Sequence, residues 1–256
     1  MLRVLSDLER YTVSATDGEV GNVIDLLFDD EQWTIRYLVA ETGGIFVQRQ
    51  VLVSPVSFRQ VEWSMRQFHV ELSVANVKDS PSVDVHAPVS RQQERAHAKH
   101  YGYANYWGRG GLWGAGSHPS LLVGAAEAPG DDALPERSDE TDDAHLRSAR
   151  EVRGYELRGN DEMVGNIDDF IIDDQTWQVR YLVITTSDHW FAKRVLIAPQ
   201  WTTSISWEKK TASVDISREA IQRCPEWNAN AAINREYETR LYDYYGRPVL
   251  SGSAGS

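Results

Sequence analysis

The stretch GNVIDLLFDDEQWTIRYLV, Gly21 to Val39, returns as GNIDDFIIDDQTWQVRYLV, Gly165 to Val183, 144 positions later. The same spacing relates Tyr11 to Tyr155, Pro55 to Pro199, Trp63 to Trp207 and Pro81 to Pro225, with no gap. It continues through Arg91 and Arg235, Glu94 and Glu238, and Gly102 and Gly246. Self-similarity at a fixed offset marks repeated structural units, and here it marks a tandem duplication. Because the offset runs past Pro81, the duplicated unit includes the segment that follows the strand-rich part.

Within the quoted stretch, β-branched and apolar residues run into Asp29-Asp30, or Asp173-Asp174 in the second copy. Trp33 to Ala40 then alternates, with Ile35, Tyr37 and Val39 on one face and Thr34, Arg36 and Leu38 on the other. Two such runs about a short Asp-rich turn predict a β-hairpin. Working outward, Gly43-Gly44 marks a turn before Ile45 to Val47, and Val51 to Val53 is a short apolar strand stopped by Pro55. Val61 to Met65 and Phe68 to Leu72 complete the first copy; Trp190-Phe191, Val195 to Ala198, Ile205 to Trp207 and Ala212 to Ile216 repeat it. Short strands at this spacing predict a small barrel, whose closure would remove the exposed edges that invite aggregation. Short helices are expected at Ser73–Asp79 and Ser217–Gln222, each ended by a proline, and longer ones at Ser90–His100 and Asn234–Tyr244.

The expected fold is therefore mainly β: two small closed β-barrels, each followed by short α-helices. The expected boundaries are a first barrel over 1–82, a helical arm with an aromatic tail over 83–107, and a flexible Gly-rich and acidic linker over 108–146. A second barrel over 147–227 and a second arm over 228–250 follow. The linker reading rests on GRGGLWGAG (Gly108–Gly116) and on the acidic run within 125–143, which cannot bury enough apolar surface to offset its ordering entropy.

The chain holds 38 acidic and 26 basic residues, a formal net charge of −12, which argues against a nucleic-acid partner and against anchoring on anionic lipid. Cys224 is the single cysteine, so no intramolecular disulfide forms, and no Cys/His cluster offers a structural zinc site. The N-terminal segment carries Arg3, Asp7, Glu9 and Arg10 and lacks the apolar core of a signal peptide. The apolar runs fall far short of the roughly 20 residues that span a bilayer. A cytoplasmic protein with no integral membrane segment is expected.

The Gly-Asn-Val/Ile start, the Asp-Asp turn, the tryptophan, the Arg-Tyr-Leu-Val strand and the apolar strand ending at proline together resemble the PRC-barrel family. ISREAIQRCP (Ile216–Pro225) is similar to that family's closing strand and helix. The resemblance covers about 1–82 and 146–227 and implies a six-stranded barrel that docks on other proteins and is not an enzyme. The family occurs as the cytoplasmic domain of the photosynthetic reaction-centre H subunit, as the C-terminal domain of a ribosome-maturation factor, and in stand-alone bacterial and archaeal proteins. With neither a membrane helix nor an extra domain ahead of the first repeat, this sequence is similar to the stand-alone tandem type.

No catalytic residue, cofactor site or metal site is expected. Asp29-Asp30 and Asp173-Asp174, with Asp25 and Asp169 nearby, could be imagined binding Ca²⁺ or Mg²⁺, but Asp side chains that bond their own turn backbone explain them better. Asp25 and Asp169 are expected to pair with Arg36 and Arg180 across the strands. His97 and His100 share one helix at i, i+3, yet Leu241 and Tyr244 replace them in the second copy, so a solvated helix face is expected. The aromatic residues closing each arm are the candidate interface: Tyr101, Tyr103, Tyr106 and Trp107, and Tyr242, Tyr244 and Tyr245. They either fold back onto a barrel, the favoured reading because exposed aromatic clusters are unusual, or contact a separate protein. The functional expectation is a non-enzymatic interaction module whose two copies pair, with a protein partner or self-association. A ligand- or metal-binding regulator is the alternative.

Overall fold

A computed structural model describes residues 1–42, 49–81, 89–107, 110–123, 145–187, 192–229 and 233–248. The expected Gly43-Gly44 turn, the Ile45–Val47 strand, Trp190-Phe191 and the acidic run lie outside them. Fourteen strands and five α-helices are found among the described residues. The first repeat holds β1 (Leu2–Val4), β2 (Thr12–Ala15), β3 (Gly18–Asp29), β4 (Thr34–Thr42), β5 (Arg49–Val53), β6 (Phe58–Glu62) and β7 (Gln67–Val70). Helices α1 (Val74–Lys78) and α2 (Arg91–Tyr101) follow. The second repeat holds β8 (Leu146–Ser148), α3 (Ala149–Val152), β9 (Glu156–Arg158), β10 (Met163–Asp173), β11 (Val179–Thr186), β12 (Arg194–Ile197), β13 (Thr202–Ser206) and β14 (Thr211–Val214), then α4 (Arg218–Arg223) and α5 (Arg235–Tyr244).

The strands form two seven-stranded mixed sheets. One runs β5-β4-β3-β2-β7-β6 with β8 beside β3; the other runs β12-β11-β10-β9-β14-β13 with β1 beside β10. Neither closes into the expected barrel. The end strands β5 and β6 are consecutive in the chain, joined by a single 3-10 turn over Pro55–Ser57, and Pro55 has no N–H to offer a ladder. Pro199–Trp201 does the same between β12 and β13.

Local chemistry explains the long hairpins. A Cβ on Gly21 would lie 1.9 Å from the Glu41 carbonyl oxygen, and one on Gly165 2.0 Å from that of Thr185, so only glycine lets the paired strands approach. At the tips, Asp29 Oδ1 accepts from the N–H groups of Glu31 (2.9 Å) and Gln32 (3.2 Å), and Asp173 Oδ1 from those of Gln175 (2.9 Å) and Thr176 (3.1 Å). These are Asp-stabilised turns. Each turn ends on a tryptophan in the left-handed region, Trp33 at φ 51° and Trp177 at φ 62°. The helix starts are capped as expected: the Ser73, Ser90, Ser217 and Asn234 side chains each accept the N–H three residues on, and Ser90 with Gln93 completes a capping box.

The chain divides into two compact units. Unit 1 comprises Met1, Arg3–Glu151 and Ile172–Val179; unit 2 comprises Leu2, Val152–Ile171 and Arg180–Ser256. Unit 1 thus takes β8 and a hairpin tip from the second repeat. Inside it the two tips bond reciprocally: Ile35 N–H donates to the Trp177 carbonyl (2.8 Å) and Val179 N–H to that of Trp33 (2.6 Å). Arg147 pairs with Asp30 at 3.0 Å and Arg3 with Asp174 at 2.8 Å, again positions 144 apart. Trp177 is buried against Phe58 (5.1 Å between ring centres) and Phe68 (6.0 Å).

The described part of the expected linker is also folded. In Gly110–Val123, Trp113 is buried and donates through Nε1 to the Thr176 carbonyl at 2.8 Å, and Leu122 is buried. Its glycines allow the tight turn, with Gly110 and Gly114 at positive φ, while one tryptophan supplies enough apolar surface to fix the segment. His145 and Leu146 are likewise buried.

Candidate functional site

The strand alternation predicts that one face of Thr34–Ala40 meets the core; all seven residues are buried. Arg36 is the reason its strand departs from simple alternation. The register moves from Leu27 opposite Tyr37 to Phe28 opposite Ile35, leaving Arg36 as the extra residue of a β-bulge. The bulge aims a fully buried guanidinium inward. Arg36 Nη2 donates to Asp29 Oδ2 (3.0 Å) and Gln32 Oε1 (2.7 Å), while Nη1 donates to the Leu112 carbonyl. Its carbon lies 3.8 Å from the Tyr106 ring centre and 4.9 Å from that of Trp113. The expected Asp25–Arg36 pair is not formed. Asp25 instead accepts from Ser148 Oγ (2.5 Å), the Arg150 N–H (3.1 Å) and the Leu26 N–H (2.7 Å), because the bulge turns Arg36 toward Asp29. In the second repeat Arg180 meets Glu238 at 3.7 Å, and the Asp169 carboxylate accepts the Phe170 N–H at 2.8 Å.

Beside Arg36 lies Glu94 of α2, also fully buried. It accepts from the hydroxyls of Tyr106 (2.7 Å) and Tyr37 (3.3 Å) and from Arg91 Nη1 (3.3 Å), and faces His145 Nε2 at 3.1 Å. Burial, reinforced by Glu94, pushes the Tyr37 and Tyr106 hydroxyls well above the usual phenol range, so both stay protonated donors. Unit 2 repeats the tie: Tyr181 donates to Glu238 of α5 at 2.8 Å.

Each arm is pinned at further matching posts. His100 Nε2 lies 2.8 Å from the Asn76 carbonyl, and Tyr244 at the equivalent position donates to the Ala220 carbonyl at 2.7 Å. Ahead of the arms a second match recurs: Arg49 donates to the carbonyls of Lys78 and Ser80, and Lys193 to that of Cys224 at 2.5 Å. His97 is not solvated: it is buried, T-shaped to Tyr37, with Nε2 2.9 Å from the Leu52 carbonyl. Burial lowers its imidazole from 6.5 to about 4. The two histidines therefore bind carbonyls, and among the described residues no group of three His, Cys, Asp or Glu could hold a metal ion.

Apart from Tyr244, the candidate aromatic residues pack within their own units. Tyr106 is buried over Arg36, with Trp107 at 4.9 Å; Tyr101 stacks on Tyr103 at 5.6 Å and touches His97 at 4.7 Å. In unit 2, Tyr242 and Tyr245 meet Trp201 at 5.2 and 5.0 Å, Trp201 standing where the first repeat has Ser57. Tyr244 stays exposed. A cavity among Tyr37, Tyr103, Tyr106, Trp107, Trp113 and Leu122 measures about 20 Å³, room for one water. What sequence reasoning missed is Arg36, Glu94, Trp113 and His145 as one buried set. The available signal was Arg91-x-x-Glu94 returning as Arg235-x-x-Glu238 on otherwise divergent arms.

His145 is also where the second repeat begins to match a known family: residues 145–221 fit the family model for the PRC-barrel domain. The chain has a PRC-barrel domain. The first repeat builds a similar sheet without such a match. No curated protein matches the chain. Among the described residues no helix is long and apolar enough to cross a membrane.

Proposed function

We propose that this chain is a non-enzymatic interaction and assembly module, in which the PRC-barrel domain and the first repeat pair through their hairpin tips. The observation that carries this reading is the reciprocal bonding of Trp33 and Trp177 to Val179 and Ile35, repeated by Arg3–Asp174 and Arg147–Asp30. Bonds made identically in both directions are the mark of an isologous contact. The buried polar groups of unit 1 serve packing: Asp29, Arg36 and Glu94 meet opposite charges, Asp25 meets a hydroxyl and two backbone N–H groups, and each candidate histidine meets a carbonyl. Such a chain offers surface, not a reacting centre.

The partner is a protein or another copy of the chain. Tagged full-length chain, captured from its own cells and analysed by cross-linking and by sedimentation, is expected to retain a discrete protein at fixed stoichiometry or to sediment as an oligomer. A monomer that retains nothing, and whose melting temperature rises with Ca²⁺, Mg²⁺ or Zn²⁺, would instead establish the ligand-binding alternative.

A further inference from the structure

Glu94 gathers groups from separate parts of unit 1: Arg91 from its own helix, Tyr37 from β4, Tyr106 from the tail, and His145 from the residue before β8. The buried cluster balances without the histidine, since Asp29 and Glu94 face Arg36 and Arg91. The proton on His145 is therefore its variable charge. The same residue is fixed through its backbone, where its carbonyl accepts the Asp30 N–H at 3.0 Å. Beyond it β8 pairs Leu146, Arg147 and Ser148 with Asp29, Phe28 and Leu27.

From this geometry we propose that the start of β8 is a proton-operated latch: protonated His145 clasps Glu94 and fastens β8 to helix α2, and loss of the proton slackens that clasp so that the ladder to β3 opens more often. The charged and titratable groups facing the imidazole are Glu94 and Arg91 on α2, Tyr106 on the tail, Asp29 at the end of β3 and Asp30 just beyond it, with Arg147 two residues on in β8 and, through Glu94 and Tyr106, Tyr37 and Arg36 of β4. Burial alone would push the imidazole down, but the hydrogen bond and charge of Glu94, with Asp29 behind it, outweigh burial and Arg91 and hold it above 6.5. A value raised in the folded state means the clasp is complete below about pH 6.5 and is lost as pH rises through the folded value. His97, one turn along α2, bonds the Leu52 carbonyl and does not share Glu94.

The test uses the full chain. Imidazole signals are followed by two-dimensional NMR between about pH 5 and 8, with His145 assigned by its absence from His145→Gln. Amide exchange at Leu146–Ser148 is measured alongside and corrected for intrinsic rates. The expected result is a His145 midpoint above 6.5, with β8 protection falling several-fold across that titration in the natural chain and staying flat in His145→Gln. A midpoint at or below 6.5, or protection that follows the same course in both proteins, overturns the latch. Should His145→Gln not fold, Glu94→Gln supplies the second arm, since an undisplaced His145 midpoint there also overturns it.

Discussion

The Tyr181 hydroxyl lies 2.8 Å from the Glu238 carboxylate, binding strand β11 to helix α5 in unit 2. Its counterpart, Tyr37 to Glu94, is longer at 3.3 Å and shares its carboxylate with three other groups. Replacing either tyrosine by phenylalanine removes one charged hydrogen bond, a loss of about 1 to 3 kcal/mol for an acceptor that is buried, as Glu94 is, or partly buried, as Glu238 is. Tyr181→Phe is expected at the upper end of that range and Tyr37→Phe at the lower, because Glu94 keeps Tyr106, Arg91 and His145. Hydrogen exchange along α5 and α2 measures the two separately; equal loosening of both arms would contradict the ranking.

Arg36 offsets the buried Asp29 while itself lying against the rings of Tyr106 and Trp113. Arg36→Met leaves that carboxylate without its cation and is expected to cost about 3 to 5 kcal/mol. Arg36→Lys is expected to recover only part of this, since an ammonium cannot bond Asp29, Gln32 and Leu112 together in one plane or stack on Tyr106. Urea unfolding followed by the fluorescence of Trp113 and its neighbours reports the loss, and a near-neutral Arg36→Lys would count against the fork geometry.

His97 sets an acid limit. Its folded value of about 4 lies below the ordinary 6.5, so the stability it confers is present above pH 6.5 and is lost as pH falls toward 4. The loss amounts to about 3 kcal/mol at 1.36 kcal/mol per unit. His97→Leu, which installs the residue that repeat 2 carries as Leu241, is expected to flatten stability across that window. Melting curves at stepped pH check it; an unchanged acid slope would show that other groups govern it.

A fragment spanning residues 1–107 ends before Trp113, Leu146 and Trp177, all of them buried in unit 1. It is expected to be partly unfolded or to associate, since the edge of β3 that carries β8 and the Phe58–Phe68 surface are both uncovered. Within the full chain, Trp113→Ala alone is expected to cost about 3 to 5 kcal/mol. A monodisperse, cooperatively melting 1–107 monomer would contradict the composition of unit 1.

The duplication was legible from its 144-residue offset, and the long hairpins, the capped helices and the Asp turns from neighbours within a few residues, while the strand expected at Val61–Met65 runs instead over Phe58–Glu62. Sheet closure was not: it depends on how β5 leaves Ser54, which periodicity does not encode. The direction of Arg36 was hidden in a one-residue register shift. The helix face of His97 and His100 read as solvated, although His97 is buried, since a buried polar group and an exposed one are spelled alike. GRGGLWGAG read as linker because five glycines outweigh one tryptophan by composition, although in space the tryptophan decides.

Unit 1 also constrains the order in which the protein can be made. Arg147 meets Asp30 across 117 residues and Ser148 meets Asp25 across 123, so the pairing of β3 with β8 must close a loop nearly half the chain long. Pairings of such contact order form slowly. A nascent chain that has released only its first repeat lacks both β8 and the Trp177 tip, and must hold its apolar surface unsatisfied until the second hairpin leaves the ribosome. Maturation of the amino-terminal half is thus timed by synthesis of the carboxy-terminal half.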